Sequence, residues 1–238
     1  MTDMVDHRGP VSLEAEIAGN LGMIAEKIVG ATISVGRDPN AVSLVAVSKV
    51  QPIERVAAAL AAGHRLFGEN RVQEAQAKWP TLRERYPDLT LHLIGPLQTN
   101  KVRDAVALFD VIETVDRPKL AKALREEMDR QGLNRTCFVQ VNTGEEPQKA
   151  GVPPNEVDAF VAFCRDEVGL DVAGLMCIPP IDDGPALHFA LLREIARRVD
   201  VEELSMGMSG DFVTAIELGA TLVRIGTAVF GTRDRSSQ

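Results

Sequence analysis

The chain has few cysteines, fewer basic than acidic residues and no long apolar run. Its 238 residues include three cysteines, none in a CxxC pair, which argues against a disulfide framework and favours a reducing compartment. The net charge of −8 disfavours a nucleic-acid-binding surface. No apolar run approaches the length of a membrane span, and residues 1–10 include no apolar signal segment. We therefore expect a cytoplasmic protein that binds neither nucleic acid nor membrane, with residues 1–10 as a flexible terminus.

The chain is rich in short apolar strands that alternate with amphipathic helical patterns. A helix is predicted over 11–35, ahead of the first strand. Eight strands are then predicted at 42–48, 64–67, 90–94, 111–115, 136–141, 172–176, 203–206 and 221–225. Each strand except the last is followed by a helical pattern, and a short apolar tail, 228–230, follows the eighth.

Alternation of this kind predicts a parallel sheet that is covered by helices. Eight units in this length predict an α/β fold with a single (β/α)8 TIM barrel, one domain over 1–238 with an extra N-terminal helix. An open, doubly wound sheet is the alternative. A GxGxxG fingerprint after the first strand would favour that alternative, and the chain has none there.

The predicted strands end on polar or glycine-rich positions. In a barrel of this class the active face lies at the carboxyl ends of the strands, so these residues are expected to converge. They are Lys49, Asn70, Gly95 with Gln98, Asn142, Met176, Met208 with Ser209, and Arg224 with Gly226.

The ends of the seventh and eighth strands indicate a phosphate site. Ser209-Gly210-Asp211 stands where a helix is predicted to begin, and Gly226-Thr227 offers a close backbone approach and a hydroxyl. An ordinary helix cap or turn explains either motif alone. Barrels of this class frequently bind phosphate between these two loops, so the two motifs together favour phosphate binding.

Arg224 and Lys49 extend this hypothesis to a cofactor. Arg224 lies between Val223 and Ile225 and faces the opposite side of its strand, which predicts an inward charge that requires a partner. Lys49 ends the first strand, where its amine could form a Schiff base. A phosphate site, a buried arginine and a lysine at a strand end together suggest pyridoxal 5′-phosphate (PLP), with Arg224 facing the ring nitrogen.

Several motifs of this chain resemble those of the pyridoxal phosphate homeostasis proteins (the YggS type). The resemblance runs in order from about residue 40 to 231. Its motifs are VSK ending at Lys49, FGEN ending at Asn70, QE at 73–74, HLIGPLQTNK at 92–101, VN ending at Asn142, KAG at 149–151, GLMC at 174–177, LSMGMSGD at 204–211, VRIG at 223–226 and FG at 230–231.

The resemblance implies a barrel similar to the N-terminal domain of alanine racemase that carries PLP on Lys49. It implies a cofactor site made of Lys49, Asn70, Asn142, Met208, Ser209, Arg224, Gly226 and Thr227. It further implies a carrier or regulator of intracellular PLP, without established catalysis, that could serve PLP-dependent apoenzymes.

The residues also argue against strong catalysis, so we expect no catalytic residues. An arginine partner leaves the pyridine nitrogen unprotonated and weakens the ring as an electron sink. Racemases of this fold add a tyrosine base from a second domain, whereas the one tyrosine here, Tyr86, is expected at the surface. A small PLP enzyme such as an amino-acid racemase is the alternative, and a class I aldolase-type Schiff-base barrel is a third hypothesis.

The remaining candidates favour ordinary structural roles. His64, His92 and His188 lack metal spacing, so no metal site is expected, and His92 is predicted to be a satisfied core histidine. Lys101 and Lys149 are interpreted as solvated charges, with a second phosphate or transfer site as the alternative. The protein is expected to be monomeric.

Overall fold

A closed barrel of eight parallel strands forms the centre of the protein. The computed structural model describes residues 12–231. The strands follow one another around the barrel in chain order. They are β1 (Ser43–Val47), β2 (Leu66–Glu69), β3 (Thr90–Leu93), β4 (Val111–Val115), β5 (Thr136–Val141), β6 (Val172–Cys177), β7 (Glu203–Ser205) and β8 (Leu222–Ile225).

Helices cover the outside of this barrel, as the sequence predicts. They are α1 (Leu13–Ser34), α2 (Ile53–Ala61), α3 (Val72–Arg85), α4 (Val102–Leu108), α5 (Pro118–Gln131), α6 (Val157–Ala162), α7 (Pro185–Arg198), α8 (Phe212–Glu217) and α9 (Thr227–Phe230). A 3₁₀ turn, Thr99–Lys101, leads into α4, and a π-helical turn, Phe163–Glu167, continues α6. Both the TIM barrel and its extra N-terminal helix are confirmed.

Two local predictions differ from the structure. The second strand lies two residues later than predicted, because Gly68 and Glu69 pair with His92 and Leu93 of β3. The apolar tail after the eighth strand is a short helix, α9, which packs with α2 and α8 against α1. The side-chain amide of Asn20 on α1 donates to the carbonyl of Val229 at 2.9 Å and helps to hold α9 in place.

Barrel closure places the first and last strands side by side. β1 pairs with β8 in parallel register, with Ser43 opposite Leu222 and Ala46 opposite Ile225. The loops that follow β1 and β8 therefore lie next to each other, although about 180 residues separate them in the sequence.

Strand alternation decides which side chains enter the barrel. Val45 packs with Phe138, Met176 and Leu222 in a cluster separate from the main core, which marks the interior of the barrel. Phe67 instead packs against Trp79 of α3, with ring centroids 4.9 Å apart, which marks the layer between barrel and helices.

The extent of the domain is described only within residues 12–231. The prediction of one domain over 1–238 stays a prediction, and the flexible terminus expected at residues 1–10 lies outside the described residues. Within them, none of the helices is both long and apolar enough to cross a membrane.

Candidate functional site

A cavity of about 190 Å³ opens at the carboxyl ends of the strands. All of the predicted site residues except Asn142 line this cavity. Its lining residues are Val47, Lys49, Gln51, Asn70, Ile94, Ile178, Met208, Ser209, Arg224, Gly226 and Thr227. The predicted convergence of strand ends therefore occurs for β1, β2, β7 and β8.

A larger hollow of about 620 Å³ lies between α1 and the amino end of β1. The described residues that line it are mostly small or apolar, and they include no lysine, arginine, aspartate or glutamate. It therefore offers a phosphorylated ligand no charged side chain with which to pair.

Lys49 reaches the cavity because β1 ends two residues before it. Val45 and Val47 alternate toward the barrel interior, and Lys49 continues that series on the same side. The backbone then turns sharply at Val50, whose φ of 60° lies in the left-handed region. Lys49 is half-buried, so its side chain lies at the wall of the cavity.

The cavity carries positive charge in an acidic protein. Lys49 and Arg224 both line it, and none of its described lining residues is acidic. The whole chain has a net charge of −8. A local pocket of opposite sign attracts small anions despite that global charge.

Arg224 is buried in β8 with 4% of its surface exposed. Its Nη1 donates to Ser205 Oγ at 2.7 Å, and its Nη2 donates to the carbonyl of Cys177 at 2.8 Å. These contacts supply the partners that the sequence required for an inward arginine, and they fix the guanidinium plane at the cavity wall.

A buried chain of polar side chains continues behind Arg224. Ser205 Oγ donates to Glu113 Oε2 at 2.5 Å, and His92 Nδ1 lies 2.5 Å from Glu113 Oε1. Since the Ser205 hydrogen is directed at Glu113, the hydroxyl lone pairs remain to accept from Arg224. Glu113 thus balances the charge of Arg224 through one hydroxyl group.

The pKa of Glu113 reflects two opposing effects. Complete burial acts to raise this pKa, but the hydrogen bond and charge of His92, the charge of Arg224 and the Ser205 hydrogen bond outweigh burial. The pKa therefore lies below its ordinary value, and Glu113 stays ionised inside the barrel. His92 is a satisfied core histidine, as predicted.

The loop after β7 is shaped by a glycine and a turn. Gly207 has a φ of 93°, and a Cβ there would lie 2.6 Å from the Cβ of Ala215. The N–H of Met208 donates to Asp211 Oδ1 at 2.6 Å, which closes the turn that presents Ser209. Ser209 is exposed at the cavity, and α8 begins directly after Asp211.

The loop after β8 approaches the end of β1 closely. A Cβ on Gly226 would lie 3.1 Å from the carbonyl oxygen of Val47, so glycine allows this approach. Thr227 begins α9, and the first N–H groups of a helix have no partner within the helix. Hydroxyl and N–H donors from two loops therefore border the cavity.

The two asparagines of the predicted site differ in position. Asn70 follows β2 and lines the cavity. Asn142 follows β5, where its Nδ2 donates to the carbonyl of Glu146 at 2.9 Å and its Oδ1 accepts from the N–H of Glu146 at 3.3 Å. The structure thus shows Asn142 holding its own loop and does not place it among the lining residues.

The sequence argument missed several lining residues. Gln51 is the one polar residue between Lys49 and Pro52. Its place directly after the end of the first strand could have marked it as a candidate lining residue. Val47, Ile94 and Ile178 are apolar and carry no such signal. Glu113 is an acidic residue inside an apolar strand, which is itself an indication of a buried partner.

Other candidates take structural positions. Lys149 forms an ion pair with Glu146 at 2.5 Å. Cys177 is buried, and burial raises the pKa of its thiol to about 12, which leaves it unreactive. Tyr86 lies at the end of α3, with the guanidinium of Arg65 5.1 Å from its ring centroid. Among residues 12–231, no group of histidine, cysteine and acidic side chains could hold a metal ion.

Comparisons with known proteins identify the family. The family described as alanine racemase, N-terminal domain, matches residues 36–234. A pyridoxal phosphate homeostasis protein of Pseudomonas aeruginosa is 42% identical over 223 residues, covering 92% of this chain and 96% of that protein. One of Vibrio cholerae is 40% identical over 230 residues, covering 92% of this chain and 98% of that protein. The chain belongs to the pyridoxal phosphate homeostasis protein family.

A solved structure of the same fold agrees with this assignment. PipY of Synechococcus elongatus, solved with PLP bound, is 36% identical and superposes with a TM-score of 0.78. The match covers 90% of this chain and all of PipY. The resemblance stated from motifs is therefore confirmed for the family, and the cavity lies at the barrel face where this fold class carries its active sites.

Proposed function

We propose that this member of the pyridoxal phosphate homeostasis family binds PLP in the cavity at Lys49 and acts in intracellular PLP homeostasis. The observation that carries the proposal is the lining of the cavity: an amine and a buried guanidinium, no acidic side chain among the described lining residues, and hydroxyl groups from two adjacent loops. PLP matches those groups, because its aldehyde can react with the amine, its ring nitrogen can accept from the guanidinium, and its phosphate can accept from the hydroxyl groups. The PLP-bound structure of PipY supports the same choice of ligand.

Lys49 is the residue proposed to hold the cofactor covalently. Its amine condenses with the aldehyde, so that a carbon–nitrogen double bond replaces the carbon–oxygen double bond and one water molecule leaves. Addition of water reverses the reaction and returns both the amine and the aldehyde. A bond of this kind is reversible, which suits a protein that holds and releases its cofactor.

The phosphate is proposed to lie between the loops after β7 and β8. Ser209 and Thr227 supply hydroxyl donors there, and Gly226 permits close approach of the backbone. Met208 and Asn70 complete the proposed site from the cavity wall. Asn142 is proposed only as a residue that shapes the neighbouring loop.

Arg224 is proposed to donate to the ring nitrogen. Its guanidinium stays protonated and is fixed by Ser205 and the Cys177 carbonyl, so it donates a hydrogen bond and no proton. PLP supplies an electron sink when it is bound, but a sink of this kind is strong only when the nitrogen is protonated. The arrangement therefore favours a cofactor carrier or buffer over an enzyme.

The remaining parts of the proposal concern partners and location. We propose a cytoplasmic monomer that exchanges PLP with PLP-dependent apoenzymes. The relatives are named homeostasis proteins rather than enzymes, which supports a role without turnover.

An amino-acid racemase is the second candidate function, favoured by the family match to alanine racemase, N-terminal domain. A two-base racemase needs a second acid–base group opposite its lysine. The one tyrosine of the sequence, Tyr86, stacks near Arg65 at the end of α3 and does not line the cavity. Racemisation of alanine by the PLP-loaded protein would identify this alternative.

The test is an absorbance titration of the purified protein with PLP. Wild-type protein is expected to develop the visible band of lysine-bound PLP, and Lys49→Ala is expected to abolish that band. Lys119→Ala serves as a matched control, since Lys119 is exposed on α5 and distant in sequence from the cavity residues. Absence of the band in wild-type protein at excess PLP would contradict the cofactor proposal and would leave the aldolase-type Schiff-base barrel as the remaining hypothesis for Lys49.

A further inference from the structure

A buried ionic cluster lies on the outer side of β1, behind Lys49. It consists of Glu69 from β2 together with Lys78 and Glu74 from α3, and we call it the α3 cluster. Glu69 is fully buried and Lys78 is 7% exposed. Charges are rarely removed from water to this degree unless they are paired and hydrogen-bonded.

One oxygen of Glu69 organises the cluster. Oε1 accepts from Ser48 Oγ at 2.7 Å, from Lys78 Nζ at 2.9 Å and from Trp79 Nε1 at 3.0 Å. Ser48 directly precedes Lys49 in the chain. The shortest of these three contacts therefore joins the buried carboxylate to the residue next to the proposed cofactor anchor.

The α3 cluster also binds the backbone on both sides of Lys49. Lys78 Nζ donates to the carbonyl of Ser48 at 2.8 Å, and the N–H of Val50 donates to Glu74 Oε1. Lys78 Nζ lies 3.4 Å from the same Glu74 oxygen, which joins the two contacts into one unit. The peptide groups that flank Lys49 are thus held by charged partners.

These contacts act where the backbone is strained. Val50 has a φ of 60°, in the left-handed region that a β-branched residue rarely adopts. Such a conformation persists when surrounding contacts over-determine it, and such strain clusters at functional sites. The hydrogen bond from Val50 to Glu74 is one of those contacts.

The cluster and the cavity lie on opposite sides of the strand. Glu69 contacts Trp79, which packs on Phe67 in the layer outside the barrel, whereas Val47 and Lys49 line the cavity. The cluster is not part of the cavity lining and affects a ligand only through the backbone. We propose that Glu69, Lys78 and Glu74 are positioning residues that hold the strained turn at Val50 and thereby aim the Lys49 amine into the cavity.

This inference rests on the proposed function of Lys49 and explains motif residues that the cavity does not use. Glu69 belongs to the FGEN motif and Glu74 follows it closely, yet neither lines the cavity. A purely structural role would stabilise the fold without a specific effect on Lys49. The test therefore compares PLP affinity in variants that remove the contact between Glu74 and Val50 with PLP affinity in a variant that also relieves the strain at Val50.

The experiment combines Glu74→Ala with Val50→Gly. Glu74→Ala removes the acceptor of the Val50 N–H, and we expect roughly tenfold weaker PLP binding, the usual effect of losing a hydrogen bond to a charged group. Glu74→Gln retains an acceptor oxygen and is expected to lose less affinity. Glycine adopts a positive φ without strain, so adding Val50→Gly to Glu74→Ala is expected to restore binding toward the wild-type value.

The control and the outcomes separate this inference from the proposed function. Glu84 is exposed on the same helix, so Glu84→Ala is expected to bind PLP like wild type. Wild-type affinity in Glu74→Ala, or a loss that Val50→Gly leaves unchanged, would overturn the inference while the proposed function stands. Absence of lysine-bound PLP in wild-type protein would overturn both.

Discussion

Arg224 is a charged residue buried inside the barrel, and a few polar side chains compensate the cost of removing that charge from water. Glu113 is ionised, is fully buried and reaches Arg224 through Ser205, while His92 satisfies its other oxygen. Removing one partner of such a buried pair leaves the other charge uncompensated, which is costly. The chain of contacts therefore links the stability of the barrel to a charged group that lines the cavity.

We expect Glu113→Gln to lower the free energy of unfolding by about 3 kcal/mol at neutral pH, because Arg224 then lacks its counter-charge. The stabilisation that Glu113 provides decreases as the pH falls. Since the folded pKa of Glu113 lies below its ordinary value of 4.5, the stabilisation is present above pH 4.5 and is lost as the pH falls further.

Urea unfolding at a series of pH values measures this difference. Wild type and Glu113→Gln are expected to differ most at neutral pH and to converge in acid. Glu126→Gln is the control, since Glu126 is exposed on α5. Equal stability of wild type and Glu113→Gln at pH 7 would contradict the proposed charge balance.

At the scale of elements, the site depends on how closely neighbouring loops approach. The loop after β3 packs against the loop after β2, and a Cβ on Gly95 would lie 2.2 Å from the carbonyl oxygen of Asn70. That contact involves backbone atoms, which cannot move aside as a flexible side chain can. Gly95 is therefore needed to place Asn70 at the cavity.

We expect Gly95→Ala to displace the Asn70 loop, to destabilise the fold by about 1–3 kcal/mol and to weaken PLP binding. Gly210→Ala is the matched control, because a Cβ on Gly210 meets nothing within 4 Å although the residue adjoins Ser209. Thermal unfolding and PLP titration of both variants measure the effects. Normal PLP affinity in Gly95→Ala would show that Asn70 does not need this loop.

At the scale of the molecule, barrel closure brings distant segments to one cavity. Lys49 follows β1 and Thr227 follows β8, and both line the cavity because these two strands pair. A ligand that contacts both loops binds only when the barrel is closed. Its binding free energy therefore adds to the stability of the whole fold.

We expect PLP at 100 times its dissociation constant to stabilise the protein by about 2.7 kcal/mol, a rise of roughly 5 °C or more in the unfolding midpoint. A thermal melt with increasing PLP measures this rise. Lys49→Ala should show a smaller rise, and inorganic phosphate should act as a weak control ligand. A wild-type midpoint that does not change with PLP would contradict binding in the closed cavity.

Much of the fold and part of the candidate site could be predicted from the sequence. Short apolar strands and amphipathic helices are local patterns, so they determined the number of units, their order and the barrel. Alternation within a strand is also local, and it determined that Arg224 turns inward and that Lys49 stands at a strand end. Even so, β2 was placed two residues early, because its pairing with β3 decides where it ends.

Only the tertiary structure decided which side chains meet. Ser205 and Glu113 are 92 positions apart in the sequence and form a hydrogen bond because β4 and β7 share one barrel interior. Asn142 was expected at the cavity but bonds within its own loop, and Glu74 reaches Val50 because α3 packs on β2, which pairs with β1. Such contacts depend on register and barrel closure, which join segments distant in the chain and leave no periodic pattern in the sequence.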